Sequence, residues 1–125
     1  FRIRAVDDDF EHIKRFLDRN MGLSVVAVKN NQIVGTILSG HDGRQATFYH
    51  VCVDSKCRGE NIAGKMVKEA IERVNAEGIS KITLIAFKQN LAGNIFWKSQ
   101  NWKQNKDINS YELVLNEENI SSIVA

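Results

Sequence analysis

The stretch Val51-Cys52-Val53-Asp54-Ser55-Lys56-Cys57-Arg58-Gly59-Glu60-Asn61-Ile62-Ala63-Gly64-Lys65 decides how this chain is read. Val51 to Val53 close a strand pattern that begins at Ala46, and a loop containing Arg58 and Gly59 follows. From Asn61 to Ala76 the apolar residues Ile62, Ala63, Met66, Val67, Ala70, Ile71 and Val74 recur at helical spacing. Lys65, Lys68, Glu69, Glu72, Arg73 and Glu77 take the other face, and Gly78 is placed as a C-terminal stop. A strand that runs through a loop into a helix aims backbone N–H groups and the positive end of the helix dipole at one point. That is the physical requirement for holding a phosphate or pyrophosphate. Gly59, Ala63 and Gly64 keep side chains out of the way, and Arg58 adds a charge suited to bidentate phosphate contact.

Upstream, Ser24 to Val28 is a short β-branched run, Lys29-Asn30-Asn31-Gln32 supplies a turn, and Ile33 to Ser39 resumes the strand pattern. A second turn over Gly40-His41-Asp42-Gly43-Arg44 leads into Ala46 to Val53, which predicts a meander of three antiparallel strands. Downstream, Lys81 to Phe87 reads as a buried strand, Asn90 to Gln100 as a short helix and Ser110 to Leu115 as a final strand. The stretch from residue 116 to 125 is a peripheral tail. At the other end, Phe1 to Val6 reads as a first strand. Asp8 to Arg19 reads as a helix capped by Asp7 or Asp8, with Phe10, Ile13, Phe16 and Leu17 facing inward. The order of elements predicts a mixed α/β (α+β) sheet with at least one parallel βαβ unit.

At 125 residues the chain makes one domain, and 43% hydrophobic with 26% charged residues is ordinary for a globular protein. A formal net charge of +2 gives no reason to expect nucleic-acid or membrane partners, and no apolar run has the length of a span. Cys52 and Cys57 have no neighbouring Cys or His pair at zinc spacing, so no metal is expected and both read as thiols in a reducing, cytoplasmic setting.

Two ligands compete for the cradle. Gly59 to Met66 follows the P-loop pattern through Gly64-Lys65, but Met66 stands where a Ser or Thr hydroxyl should hold magnesium. The second reading is a family resemblance. Arg58-Gly59-Glu60-Asn61-Ile62-Ala63 resembles the acyl-CoA signature of GNAT N-acetyltransferases (Arg or Gln, two residues, Gly, one residue, Gly or Ala), with Asn61 at the first signature glycine. Asn90-Leu91-Ala92-Gly93-Asn94-Ile95-Phe96-Trp97, followed by Asn101-Trp102, resembles the family's second motif, Asn-x-x-Ala-x-x-Phe-Tyr with a later Gly-Phe. The strands Ile33-Val34-Gly35 and Val51-Cys52-Val53 also look like the family, and the Gly40 to Arg44 turn resembles a bacterial subgroup of small GNAT proteins. The resemblance covers residues 20 to 115.

The resemblance implies a mostly antiparallel mixed sheet with a V-shaped splay and flanking helices. It also implies direct transfer of acetyl from acetyl-CoA to a primary amine of a small molecule or peptide. The backbone of Val51 and Val53 would meet the pantetheine arm. Arg58, Gly59, Glu60, Asn61, Ala63, Gly64 and Lys65 would hold the pyrophosphate, and Asn90 and Trp97 would flank the cofactor. Strand alternation places Thr47 and Tyr49 on the face of Val51 and Val53, with Phe48, His50 and Cys52 pointing away. The family's usual Glu or His base is absent from Thr47 and Tyr49, and Trp97 replaces its usual tyrosine acid; an indole cannot protonate a thiolate. Tyr49 and Tyr111 are therefore the proton-handling candidates, although a phenol, titrating near ~10, is a poor base at neutral pH. A CoA-binding sensor without efficient transfer is the alternative. In the subgroup a further strand and helix precede the portion resembling Val6 to Asn20, so these are expected to be missing before Phe1; the encoding gene and an intact mass decide this. The final strand offers an edge for a homodimer.

Overall fold

In the computed structural model, which describes residues 2–123, the chain forms β1 (Arg2–Arg4), α1 (Phe10–Arg19), β2 (Val25–Lys29), β3 (Gln32–His41) and β4 (Ala46–Val53). A single 3-10 turn (Ser55–Cys57), α2 (Ile62–Ala76), β5 (Ile82–Leu84), α3 (Leu91–Ser99) and β6 (Ser121–Ile123) follow. The main sheet has the order β2-β3-β4-β5, antiparallel except for the β4–β5 pair, and β1 pairs with β6 in a separate ribbon. This is the mixed α/β architecture expected from the order of elements. Phe1, within the expected first strand, and Val124 and Ala125 of the tail lie outside the described residues.

The β2–β3 hairpin closes through Asn30 and Asn31, at φ 52° and 63°. A two-residue turn with both residues left-handed twists in the same sense as the strands it joins. One face of the sheet packs on α2: Met66, Val67, Ala70 and Val74 meet Leu23, Val25, Ile37, Ala46 and Phe48 in the core. Gly35 permits that approach, since a Cβ there would stand 2.7 Å from the Met66 methyl. The other face carries α1, and Gly40 is its contact point, where a Cβ would stand 2.8 Å from the Phe16 ring.

Several sequence expectations are corrected. Asp9, not Asp7 or Asp8, caps α1, its Oδ1 accepting the His12 N–H at 2.9 Å. α1 buries no residue, and Phe10 is 77% exposed, because the helix lies over only part of the sheet. β3 continues through Gly40 and His41, so the turn is tighter than expected. Strand pairing after α2 stops at Leu84, leaving Ile85 and Phe87 exposed instead of buried. Residues 110–115 form no strand: Tyr111, Leu113 and Leu115 are exposed and pair with nothing in either sheet. The edge that stretch would have offered to a second copy is therefore not formed. The last strand comes later, at Ser121–Ile123, where it zips to β1 while Asn119 Oδ1 accepts the Val6 and Asp7 N–H groups.

Candidate active site

The site grows from the end of β4. β5 pairs with β4 only at Ala46↔Ile82, Thr47↔Thr83 and Phe48↔Leu84, whereas β4 runs on to Val53. Beyond Phe48 the two strands diverge, leaving one edge of β4 unpaired. The Asp54 N–H donates to the Val34 carbonyl at 2.7 Å. By ladder alternation the backbone groups of Val53 then point away from β3, toward the open side.

A β-bulge sits at the divergence. Thr36 pairs with Cys52 and Leu38 with Tyr49, so Ile37 alone opposes both His50 and Val51. His50 adopts φ 49°, and the Thr36 hydroxyl donates to its carbonyl at 3.0 Å. The extra residue reverses the face parity along the strand. Val51 and Val53 pack on the α2 core with Ala46 and Phe48, while Tyr49 meets the Phe16 ring edge-on at 5.7 Å on the α1 side. Simple alternation, which puts Tyr49 on the face of Val51 and Val53, is thereby corrected. His50 is not turned away unpartnered: its Nε2 lies 2.7 Å from Asp8 Oδ1, and Asp8 Oδ2 accepts the Arg4 N–H at 2.6 Å.

After β4, Asp54 Oδ1 caps the 3-10 turn by accepting the Lys56 N–H. Gly59 then takes φ 87° and Asn61 φ 58°, both left-handed, and α2 starts at Ile62. Glycine enters this region freely, and asparagine is among the few other residues that do so at small cost. Asn61 thus serves the backbone geometry of the glycine it replaces. It supplies no side-chain cap to α2, so first-turn N–H groups face outward. Gly64 lies directly beneath the Asn61 side chain, where a Cβ would collide with Asn61 Oδ1. A groove leads from Asn61 and Gly64 along Val67 and Lys68 to Gln100 and Trp102. Arg58 and Lys65 bracket the loop and first turn, and Glu60 is tied to Lys29 by two hydrogen bonds of 2.8 and 3.0 Å. That bonding, followed by the carboxylate's charge, raises the Lys29 pKa above its ordinary value.

Asn90 begins α3 as a cap, with Oδ1 accepting the Gly93 N–H at 3.0 Å. Trp97 is half-buried in an aromatic chain, 5.0 Å from the Phe96 ring and 4.9 Å from Trp102, which in turn meets Phe48 at 5.8 Å. Asn101, at the second motif's glycine position, has φ 66°. Tyr111 is 90% exposed in the coil after α3 and is not brought to the β4 edge. The Asp8–His50 and Lys29–Glu60 pairs escaped the sequence reading, because their partners are 42 and 31 positions apart. Among the described residues no group of three or more His, Cys, Asp or Glu is placed to hold a metal. Nor is any helix there long and apolar enough to cross a membrane.

A splayed parallel pair beside an uncapped helix start defines a class, and comparison with known proteins gives the same class. The Acetyltransferase (GNAT) family profile matches residues 2–102. The chain belongs to the GNAT acetyltransferase family. A curated acetyltransferase of Pectobacterium atrosepticum is 31% identical over 88 residues, which cover 70% of this chain and 62% of that protein. The chain therefore spans less than two thirds of that relative's length. Among solved structures, an aminoglycoside acetyltransferase from an uncultured soil metagenomic sample, in complex with sisomicin, has a TM-score of 0.71 at 21% identity, covering 86% of this chain and 75% of that one. A GNAT family acetyltransferase from Elizabethkingia anophelis with acetyl-CoA bound has a TM-score of 0.60 at 19% identity, covering 76% and 61%.

Proposed function

We propose that the chain is an N-acetyltransferase that moves acetyl directly from acetyl-CoA to a primary amine of a small molecule or peptide. The observation that carries this reading is the divergence of β4 and β5 immediately before an uncapped α2. The cofactor's thioester supplies the acetyl group. The unpaired edge at Val51 and Val53 suits the pantetheine arm, since amide-bearing chains pair with free strand edges. Gly59, Glu60, Asn61, Ala63 and Gly64 offer backbone N–H groups to the pyrophosphate, with Arg58 and Lys65 adding positive charge. The residues fit such a group: Gly59 has open space over its Cα at the entrance to α2. Asn90 and Trp97 flank the cofactor from α3.

Tyr49, 48% exposed on the α1 face, is the candidate for orienting water or donating a proton. Acceptor amines would approach from the α1 side. The free thiols of Cys52 and Cys57 fit a cytoplasmic location.

The test is thiol release from acetyl-CoA with a panel of amines. The panel includes aminoglycosides, because neighbours of similar fold are named for them. Turnover on at least one amine is expected. Tyr49→Phe should lower kcat about tenfold or more with little change in the acetyl-CoA KM. A second reading, a CoA-binding sensor, is favoured by the engagement of Trp97 in aromatic packing. Tight CoA binding with no turnover on any amine would select it, and absence of CoA binding would sink both.

A further inference from the structure

The cradle contains an apparent contradiction. Glu60 stands immediately before Asn61, so its carboxylate is placed to be drawn to the positive end of α2 and to repel an incoming anion. Yet α2 has no side-chain cap and no acidic residue in its first turn. Glu60 is turned away instead, with both carboxylate oxygens on Lys29 Nζ. Lys29 is the last residue of β2, and its position is set by the two-residue turn that pairs it with Gln32. The β2–β3 hairpin thus carries an ammonium to the one acid between Arg58 and Lys65.

We propose that Lys29 is an affinity-determining residue of the cradle: it holds the Glu60 carboxylate off the open end of α2 and keeps those N–H groups available to a polyanionic ligand. Lys29 acts through Glu60 and is a positioning residue. This inference rests on reading the cradle as the acyl-CoA pyrophosphate site.

Calorimetric titration of the whole chain with CoA tests it, using wild type, Lys29→Ala, Glu60→Gln and the double variant. At low ionic strength (about 0.01 M) Lys29→Ala should weaken CoA binding about three- to tenfold, and the deficit should shrink at about 0.1 M salt as charge is screened. Glu60→Gln keeps the backbone N–H assigned to the pyrophosphate and removes only the repelling charge, so it should bind CoA more tightly than wild type at low salt. The double variant should return to within about twofold of Glu60→Gln. Pantetheine, which lacks the pyrophosphate, should bind wild type and Lys29→Ala alike. Equal CoA affinity in wild type and Lys29→Ala would overturn the proposal. So would a double variant as weak as Lys29→Ala, since Lys29 would then contact the anion directly, and so would an equal loss with pantetheine. If wild type itself fails to bind CoA, the reading of the cradle falls first.

Discussion

α2 and α3 both begin at an asparagine, and the two helix starts are opposites. Asn90 sits at φ −81° and closes α3 by accepting the Gly93 N–H, whereas Asn61 sits at φ 58° and leaves α2 without a side-chain cap. The same side chain is a cap in one backbone state and a glycine substitute in the other. What decides between them is the approach. The chain enters α3 through a short loop from a strand already ended, but enters α2 through Gly59, itself left-handed at φ 87°. A closed start is worth most as stability, and an open one as a place for an anion.

Breaking the open start should have the largest effect. Gly59→Val forces a β-branched residue into left-handed backbone at a cost of about 1–2 kcal/mol. CoA affinity should fall at least about tenfold by calorimetry, and an unchanged affinity would show that the loop geometry does not matter to binding. Breaking the closed start should cost stability instead: Asn90→Ala should lose about 1 kcal/mol in urea unfolding. Asn61→Gly should shift stability by less than about 0.5 kcal/mol and keep CoA binding, because no cap is lost. A loss as large as that of Asn90→Ala would mean that the Asn61 side chain supports the helix after all.

The smallest effect concerns α1, whose acidic cap contrasts with the neutral start of α2. The Asp9 pKa is lowered first by the His12 backbone N–H and next by the His12 ring. A carboxylate with a depressed folded pKa gives stabilisation that is complete above its unfolded value, near pH ~4, and lost as pH falls through the folded value. The stability that wild type gains from the Asp9 carboxylate relative to Asp9→Asn should therefore shrink as pH falls below about 4. A difference that stays unchanged from about pH 5 down to about pH 2 would contradict that assignment.

The meander, α2, α3 and the cradle were legible because each is written in local spacing. The family glycines at 61 and 101 were legible even as asparagines, since both positions do take positive φ. What was not legible depends on partners distant in sequence. Residues 110–115 alternate as a strand would, but a strand needs a neighbour, and the ribbon with β1 forms at Ser121–Ile123 instead. Lys81 to Phe87 reads as one strand, yet its end at Leu84 is set by where β4 turns away. The bulge at His50 is a property of register with β3, invisible to alternation within β4. The candidate site follows the same division. The end proposed for the pyrophosphate lies in one contiguous motif, while Tyr49, Tyr111 and the Asp8–His50 pair depend on how separate segments meet.

The bulge has a consequence for how β4 tolerates change. Before it the core takes the even-numbered Ala46 and Phe48, and after it the odd-numbered Val51 and Val53. A saturation scan along the strand should show a phase slip at position 50, with polar substitutions penalised on opposite parities on either side. One added residue thus lets a single strand anchor the same core at both ends while its second half runs free of its parallel neighbour. Straightening the bulge with His50 retained would turn Val51 and Val53 out of the core, whereas deleting His50 would restore an unbroken rhythm that keeps both in it.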